Sequence, residues 1–187
     1  SGGTLTGSSG AIDVNGDLTF SSGTLTAPSG SFTVSGNWNH TSGTFTPGTN
    51  TVTFDGSSGQ ALTGETFYNL TINNSAASPD DTTDVDSSAA VTVTNTLTVT
   101  DGQFQPTTAS DFAGVTISTN GILKPDASAT ITVSGNWSNS GTFTANTGTV
   151  TFDGTSQSVL GATTFYNFSK TEGVDNATDE TLTFTAG

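Results

Sequence analysis

The sequence predicts an all-β protein, specifically a right-handed parallel β-helix (β-solenoid) of about nine coils of about 20 residues each. Three observations carry this. A short motif returns every twenty residues, Gly3-Thr-Leu-Thr6, Gly23-Thr-Leu-Thr26 and Gly43-Thr-Phe-Thr46. Between the returns, apolar residues alternate strictly with threonine, the period-two signature of strands. No window shows helical periodicity.

The elements follow in order. Leu5, Leu25 and Phe45 mark the first three strands of the unit. Ile12, Phe32 and Val52, then Val14, Val34 and Phe54, then Leu18 and Trp38, align in further columns. Thr51-Val-Thr-Phe54, Val91-Thr-Val-Thr94 and Leu182-Thr-Phe-Thr185 are strands with Val, Leu or Phe on one face and Thr on the other. The phase persists through Gly102-Gln-Phe-Gln105, Gly121-Ile-Leu-Lys124 and Gly141-Thr-Phe-Thr144, so Phe104, Leu123 and Phe143 are expected to extend the core column of Leu5, Leu25 and Phe45, with Trp38 and Trp137 as large fillers. Pro28, Pro47, Pro106 and Pro125 recur just after the unit's Gly and read as corners, since proline pre-sets φ and donates nothing to a ladder. A twisted sandwich would also space strands this closely. It gives no reason for one residue type to recur at one phase, whereas stacked coils do.

A longer repeat overlies the short one. Val34-Ser-Gly-Asn-Trp38 returns at Val133–Trp137, an offset of 99; Thr51-Val-Thr-Phe-Asp-Gly56 at Thr149–Gly154 and Thr66-Phe-Tyr-Asn69 at Thr164–Asn167 return at an offset of 98. Residues 1–187 thus read as a single solenoid domain with duplicated blocks at about 23–73 and 121–168, and a loop insertion at about 74–90.

Composition narrows the function. The 187 residues include 41 Thr, 24 Ser and 23 Gly, and two basic residues against 16 acidic give a net charge of -14. Lys124 and Lys170 cannot supply the clustered cations that nucleic acid or an anionic bilayer requires, so neither is expected as a partner. Twelve Phe and abundant Val and Thr argue against disorder. No long apolar stretch is available for membrane insertion, and the missing leader before Ser1 reads as an export signal already removed. Zero Cys excludes disulfides and thiolate metal sites.

At the Gly-Asn-Trp, Gly-Thr-Phe-Thr, Thr-Val-Thr-Phe-Asp-Gly and Phe-Tyr-Asn stations, residues 36–73 and 135–168, the chain resembles the repeat regions of large secreted β-helical surface proteins of bacteria and archaea, adhesin-like or fibre-forming. The resemblance implies an extracellular or cell-surface repeat protein. It carries no catalytic residue.

Side-chain chemistry is sparse. The single histidine, His40, falls at the phase of Phe20 and is expected at the core edge, capped by a backbone carbonyl. With no Arg and no Cys, and dense carboxylates only at Asp80, Asp81, Asp84 and Asp86, the chain is expected not to be an enzyme and to need no cofactor. Those four aspartates are the candidate calcium ligands, because a hard cation wants several oxygens. The Asp13-Val-Asn-Gly-Asp17 stretch fails as a calcium loop, since Leu18 and Thr24 replace the glycine and glutamate it needs. Six Asn-X-Ser/Thr sequons are what this composition produces by chance. Thr-X-Thr rungs on a flat solenoid face are the surface used by ice-binding proteins, but Gln103, Gln105 and Lys124 break the row that Thr4, Thr24 and Thr44 begin.

The pattern runs in register from Thr4-Leu5-Thr6 to Leu182 and Phe184, with no capping element in either place. These residues are therefore the expected assembly ends of a head-to-tail fibre, with other copies of the chain as partners. The alternatives are the stalk or glycan-binding segment of an adhesin, and an ice-binding solenoid.

Overall fold

The computed structural model describes residues 2–76, 85–171 and 180–186. They form twenty-one strands and no helix, and the chain winds as a β-solenoid of about eight turns in which the strands of successive turns pair in parallel, as the alternation and the repeat predict. Each turn visits three faces. The first turn has β1 (Thr4–Thr6), β2 (Ile12–Val14) and β3 (Leu18–Phe20) on the first, second and third face; the second turn has β4 (Thr24–Thr26), β5 (Phe32–Val34) and β6 (Trp38–His40). The third turn has β7 (Thr44–Thr46), β8 (Thr51–Phe54) and β9 (Gln60–Leu62). In the fourth, β10 (Thr66–Asn73) bends across a corner and β11 (Val85–Ser87) closes the turn; in the fifth, β12 (Thr92–Pro106) covers all three faces. The sixth has β13 (Ser110–Phe112) and β14 (Val115–Leu123), and the seventh β15 (Thr130–Val133), β16 (Trp137–Asn139) and β17 (Thr142–Phe143). β18 (Thr149–Phe152) and β19 (Ser156–Leu160) belong to the eighth, and β20 (Asn167–Lys170) and β21 (Thr181–Thr185) lie on them.

Coil-on-coil register builds the core. On the second face Ile12, Phe32, Val52, Leu70, Leu97, Val115, Trp137, Val159 and Phe184 form one ladder, each about 4.8 Å above the last. The buried apolar residues from Leu25 to Val159 form one continuous cluster. Leu25 and Phe45 are buried, and so are Phe104, Leu123, Trp38 and Trp137; Phe143 is partly buried, and Leu5, in the first turn, is 55% exposed.

One expectation is corrected. The column of Leu5, Leu25 and Phe45 does not continue into Phe104, Leu123 and Phe143: the first three stack on the first face, the last three on the third. In the early turns Thr4 pairs with Thr24 and Thr24 with Thr44, but further on Thr66 pairs with Thr92, and this longer turn takes up what a strict twenty-residue phase counts as a further third of a turn. Of the expected insertion at 74–90, residues 77–84 lie outside the described residues. Val85–Ser87 is a ladder strand between β9 and β12, and Asn74 is fully buried, its amide donating to Ser58 O and Gln60 Oε1.

Corners are held by side-chain amides reaching down one coil. Gln60 Nε2 donates to Val34 O and Gly36 O while its Oε1 accepts from Gly56 N; Gln157 does the same with Val133 O, Gly135 O and Gly154 N. Asn50 ties to Pro28 O and Asn146 to Pro125 O, placing these prolines at corners. Gly23 shows why the motif begins with glycine. Its φ is +86°, and a Cβ there would lie 1.9 Å from Gly3 O of the coil before.

Candidate functional site

The duplicated blocks share their corners but occupy different faces. Trp38 pairs with Leu18 and Leu62 on the third face; Trp137 pairs with Val115 and Val159 on the second. Each indole nonetheless sits in the same aromatic nest. Trp38 has Phe45, Phe67 and Phe54 at 4.9, 5.3 and 6.3 Å between ring centroids, and Trp137 has Phe143, Phe165 and Phe152 at 4.9, 5.5 and 6.2 Å. The second block is therefore the first rebuilt one face round the axis.

Against this shared frame the positions of His40 and Glu65 change chemistry between the blocks. At the end of β6, where the strand leaves the core, His40 stacks on Phe20 with centroids 4.0 Å apart, and its Nδ1 donates to Glu65 Oε2 at 2.6 Å. The partner is thus Glu65 rather than the expected backbone carbonyl. Glu65 Oε1 accepts from Thr66 N at 2.8 Å, so both carboxylate oxygens are engaged, and the two side chains are only 17% and 10% exposed. His40 N donates to Thr63 Oγ1, which fixes the corner. The pair borders an open depression of about 400 Å³ lined also by Thr41, Ser42, Thr66 and Thr92. The offsets of 99 and 98 place Asn139 and Thr163 in the same roles. There the amide of Asn139 donates to Thr163 Oγ1 and Ala162 O, and Trp137 Nε1 also donates to Thr163 Oγ1 at 3.1 Å. With Glu65 turned to His40, Trp38 Nε1 is buried without an acceptor among the described residues.

Nothing local in the sequence singles out Glu65, because it lies 25 residues from His40. The duplication is the signal available, since a Glu stands where the second copy has Thr. A carboxylate that orients an imidazole is half of an acid–base device. Among the described residues no hydroxyl is hydrogen-bonded to the other ring nitrogen, so the arrangement holds a side chain in place and shows no nucleophile.

The expected calcium ligands Asp80, Asp81 and Asp84 lie outside the described residues. Asp86 points outward on β11, between Ala61 and Gln105 of the adjacent coils, and among the described residues no three His, Cys, Asp or Glu converge. A second acidic feature is Asp111 on the first face. Burial raises its carboxyl above its ordinary value and the charge of Asp153 adds to this. Asp153 Oδ1 is itself buried without a partner among the described residues, whereas its counterpart Asp55 accepts from Ser35 Oγ at 2.8 Å.

The assembly-end residues lie at opposite extremes of the stack. Leu5 is exposed with Thr4 and Thr6 in β1; Phe184 is 64% and Phe168 43% exposed, with Leu182 half-buried beneath them. The threonine row is also redistributed. Thr4, Thr24 and Thr44 belong to the first face, and Gln105 and Lys124 to the third, so the lysine does not interrupt a threonine face. The unbroken outward column is on the second face: Thr33, Thr53, Thr71, Thr98, Thr116 and Ser138.

No described helix is long and apolar enough to cross a membrane, the fold being all strands. No known protein family, curated protein or solved structure matches this chain.

Proposed function

We propose that the chain is a non-enzymatic structural element of the cell exterior, a β-solenoid that stacks end on end with other copies to form a fibre. The observation that supports it is the contrast, among the described residues, between the middle turns, whose core columns are buried, and the first and last turns, where Leu5, Phe168 and Phe184 are open to solvent. Exposed apolar surface of this kind marks an interaction site, and a parallel edge is a template for another strand. A heterologous contact of one end on the other propagates without limit unless it closes. The Thr- and Ser-rich composition and the resemblance to secreted repeats support an extracellular setting, and the scarcity of cations speaks for partners other than nucleic acid or a bilayer. The test is negative-stain microscopy with light scattering on the purified chain. Threads whose length grows with concentration are expected, and Leu5→Lys with Phe184→Lys returns them to monomers with an unchanged far-ultraviolet spectrum. A monodisperse monomer at high concentration overturns the reading, and retention on a surface glycan by that monomer selects the adhesin stalk instead.

The hydroxyl column from Thr33 to Ser138 favours a second reading, ice binding, because six coils present hydroxyls at the regular spacing of a parallel sheet. Thermal hysteresis that Thr71→Lys abolishes is the expected result. Its absence in the parent chain removes this reading.

A further inference from the structure

The two blocks use their corner side chains differently, and the difference leaves one ring atom over. In the second block every polar side-chain atom of Asn139 is engaged: the amide donates to Ala162 O and Thr163 Oγ1, and Oδ1 accepts from Gly141 N at 3.1 Å. The side chain is buried, and Trp137 Nε1 shares its acceptor. In the first block His40 Nδ1 is held by Glu65, Trp38 Nε1 is without an acceptor, and no hydrogen bond among the described residues reaches His40 Nε2. A buried donor without a partner lowers stability, and native chains keep such exceptions where a site needs them. With Nδ1–H given to the carboxylate, the neutral ring presents Nε2 as an acceptor in a fixed orientation.

That ring lines the depression of about 400 Å³, which forms where the corners after β6, β9 and β11 lie over one another. Its volume is that of a small-molecule site. The walls carry the hydroxyls of Thr41, Ser42, Thr66 and Thr92, groups that both donate and accept. The lining holds no Lys or Arg and the chain's net charge is -14, so an anion is repelled. A metal ion would have to compete for a carboxylate whose two oxygens already accept from His40 and from Thr66 N. An apolar ligand would strip water from the hydroxyls without replacing it. What matches is a neutral ligand bearing several hydroxyls.

We infer that the depression binds a neutral sugar residue, one of whose hydroxyls donates to His40 Nε2 while others exchange hydrogen bonds with the threonine and serine hydroxyls around it. Glu65 is the positioning residue, since it fixes the ring. The site lies on the side of the stack, between the second and fifth turns, and does not depend on the fibre reading.

His40 is the one histidine of the chain, so its ring protons give a single set of imidazole signals in the proton NMR spectrum. The purified chain is titrated at constant pH with D-glucose, D-galactose and D-mannose, and with D-glucuronate as the acidic comparator. At least one hexose is expected to shift the His40 signals saturably, and glucuronate to leave them in place. His40→Asn with Glu65→Thr installs the second block's own corner and should weaken that hexose by about tenfold in saturation-transfer NMR, with the far-ultraviolet spectrum unchanged. Thr92→Val, which keeps the pair, should weaken it by a smaller factor. No shift with any of these hexoses overturns the inference, and so does hexose binding that the double variant retains in full. An equal response to glucuronate overturns the neutral class. Should the double variant's spectrum change, Thr92→Val decides, full retention of binding overturning the site. Microscopy of the same samples reads the fibre separately, because threads or their absence leave the His40 titration unchanged.

Discussion

The two blocks carry the same aromatic nest, the same corner glutamine and the same Gly-Asn-Trp turn, and part company where the first has His40 with Glu65 and the second Asn139 with Thr163. In the second block Thr163 Oγ1 accepts from both the asparagine and the indole, so the indole and the amide share one acceptor. In the first, His40 takes the carboxylate, and Trp38 Nε1 is buried without an acceptor among the described residues. The packing frame tolerates either chemistry because its stability resides in the rings and in the coil-to-coil amides. It also tolerates being moved to another face, since the three faces offer the same ladder to whatever lies above.

Replacing core rings tests how equal the two nests are. Phe45→Ala and Phe143→Ala each remove a ring 4.9 Å from a tryptophan and are each expected to cost about 3–5 kcal/mol, Phe143 at the lower end because it is only partly buried. Denaturant unfolding measures both, and a loss below about 1 kcal/mol for Phe45→Ala breaks the stacked-core account. Next come the corners: Gln60→Leu and Gln157→Leu strip donors from two carbonyls each and should cost about 1–3 kcal/mol, equally in both blocks. Unequal costs would show that the corners are not interchangeable.

A smaller effect sharpens the contrast. Trp137→Phe loses a hydrogen bond and should destabilise by about 1 kcal/mol more than Trp38→Phe, which removes a donor that has no acceptor among the described residues. Glu65→Thr combined with His40→Asn rebuilds the second corner in the first and should abolish that difference. The smallest effect is electrostatic. Because the Asp111 carboxyl is raised in the folded protein, its contribution is present below the unfolded pKa and lost as pH rises through the folded value. Asp111→Asn should therefore raise the melting temperature at neutral pH and leave it unchanged at strongly acid pH. A gain that is the same at both pH values would assign the effect to something other than ionisation.

Much of the fold is legible in the chain. The Gly-Thr-Leu-Thr spacing locates the first three turns to the residue, and the alternation in Thr51–Phe54 and Leu182–Thr185 assigns inward and outward sides that the ladders match. The duplicated Val-Ser-Gly-Asn-Trp motif marks the corners. The His40–Glu65 contact is not legible, because a coil-to-coil neighbour sits at a separation that depends on the local turn length, and here that separation is 25 residues, longer than the repeat of the first turns.

The sequence by itself determined that this protein is a stack of short parallel strands with apolar residues inward and threonine outward, because period-two alternation and a fixed repeat are local properties of the chain. Only the tertiary structure decided which face each strand occupies. The long turn from Thr66 to Thr92 shifts all that follows, so that Phe104 leaves the column of Phe45, Trp137 lies on a different face from Trp38, and Lys124 on a different face from the first-face threonines. Face assignment is a running sum of turn lengths, and a single long turn changes that sum for the whole remainder of the stack.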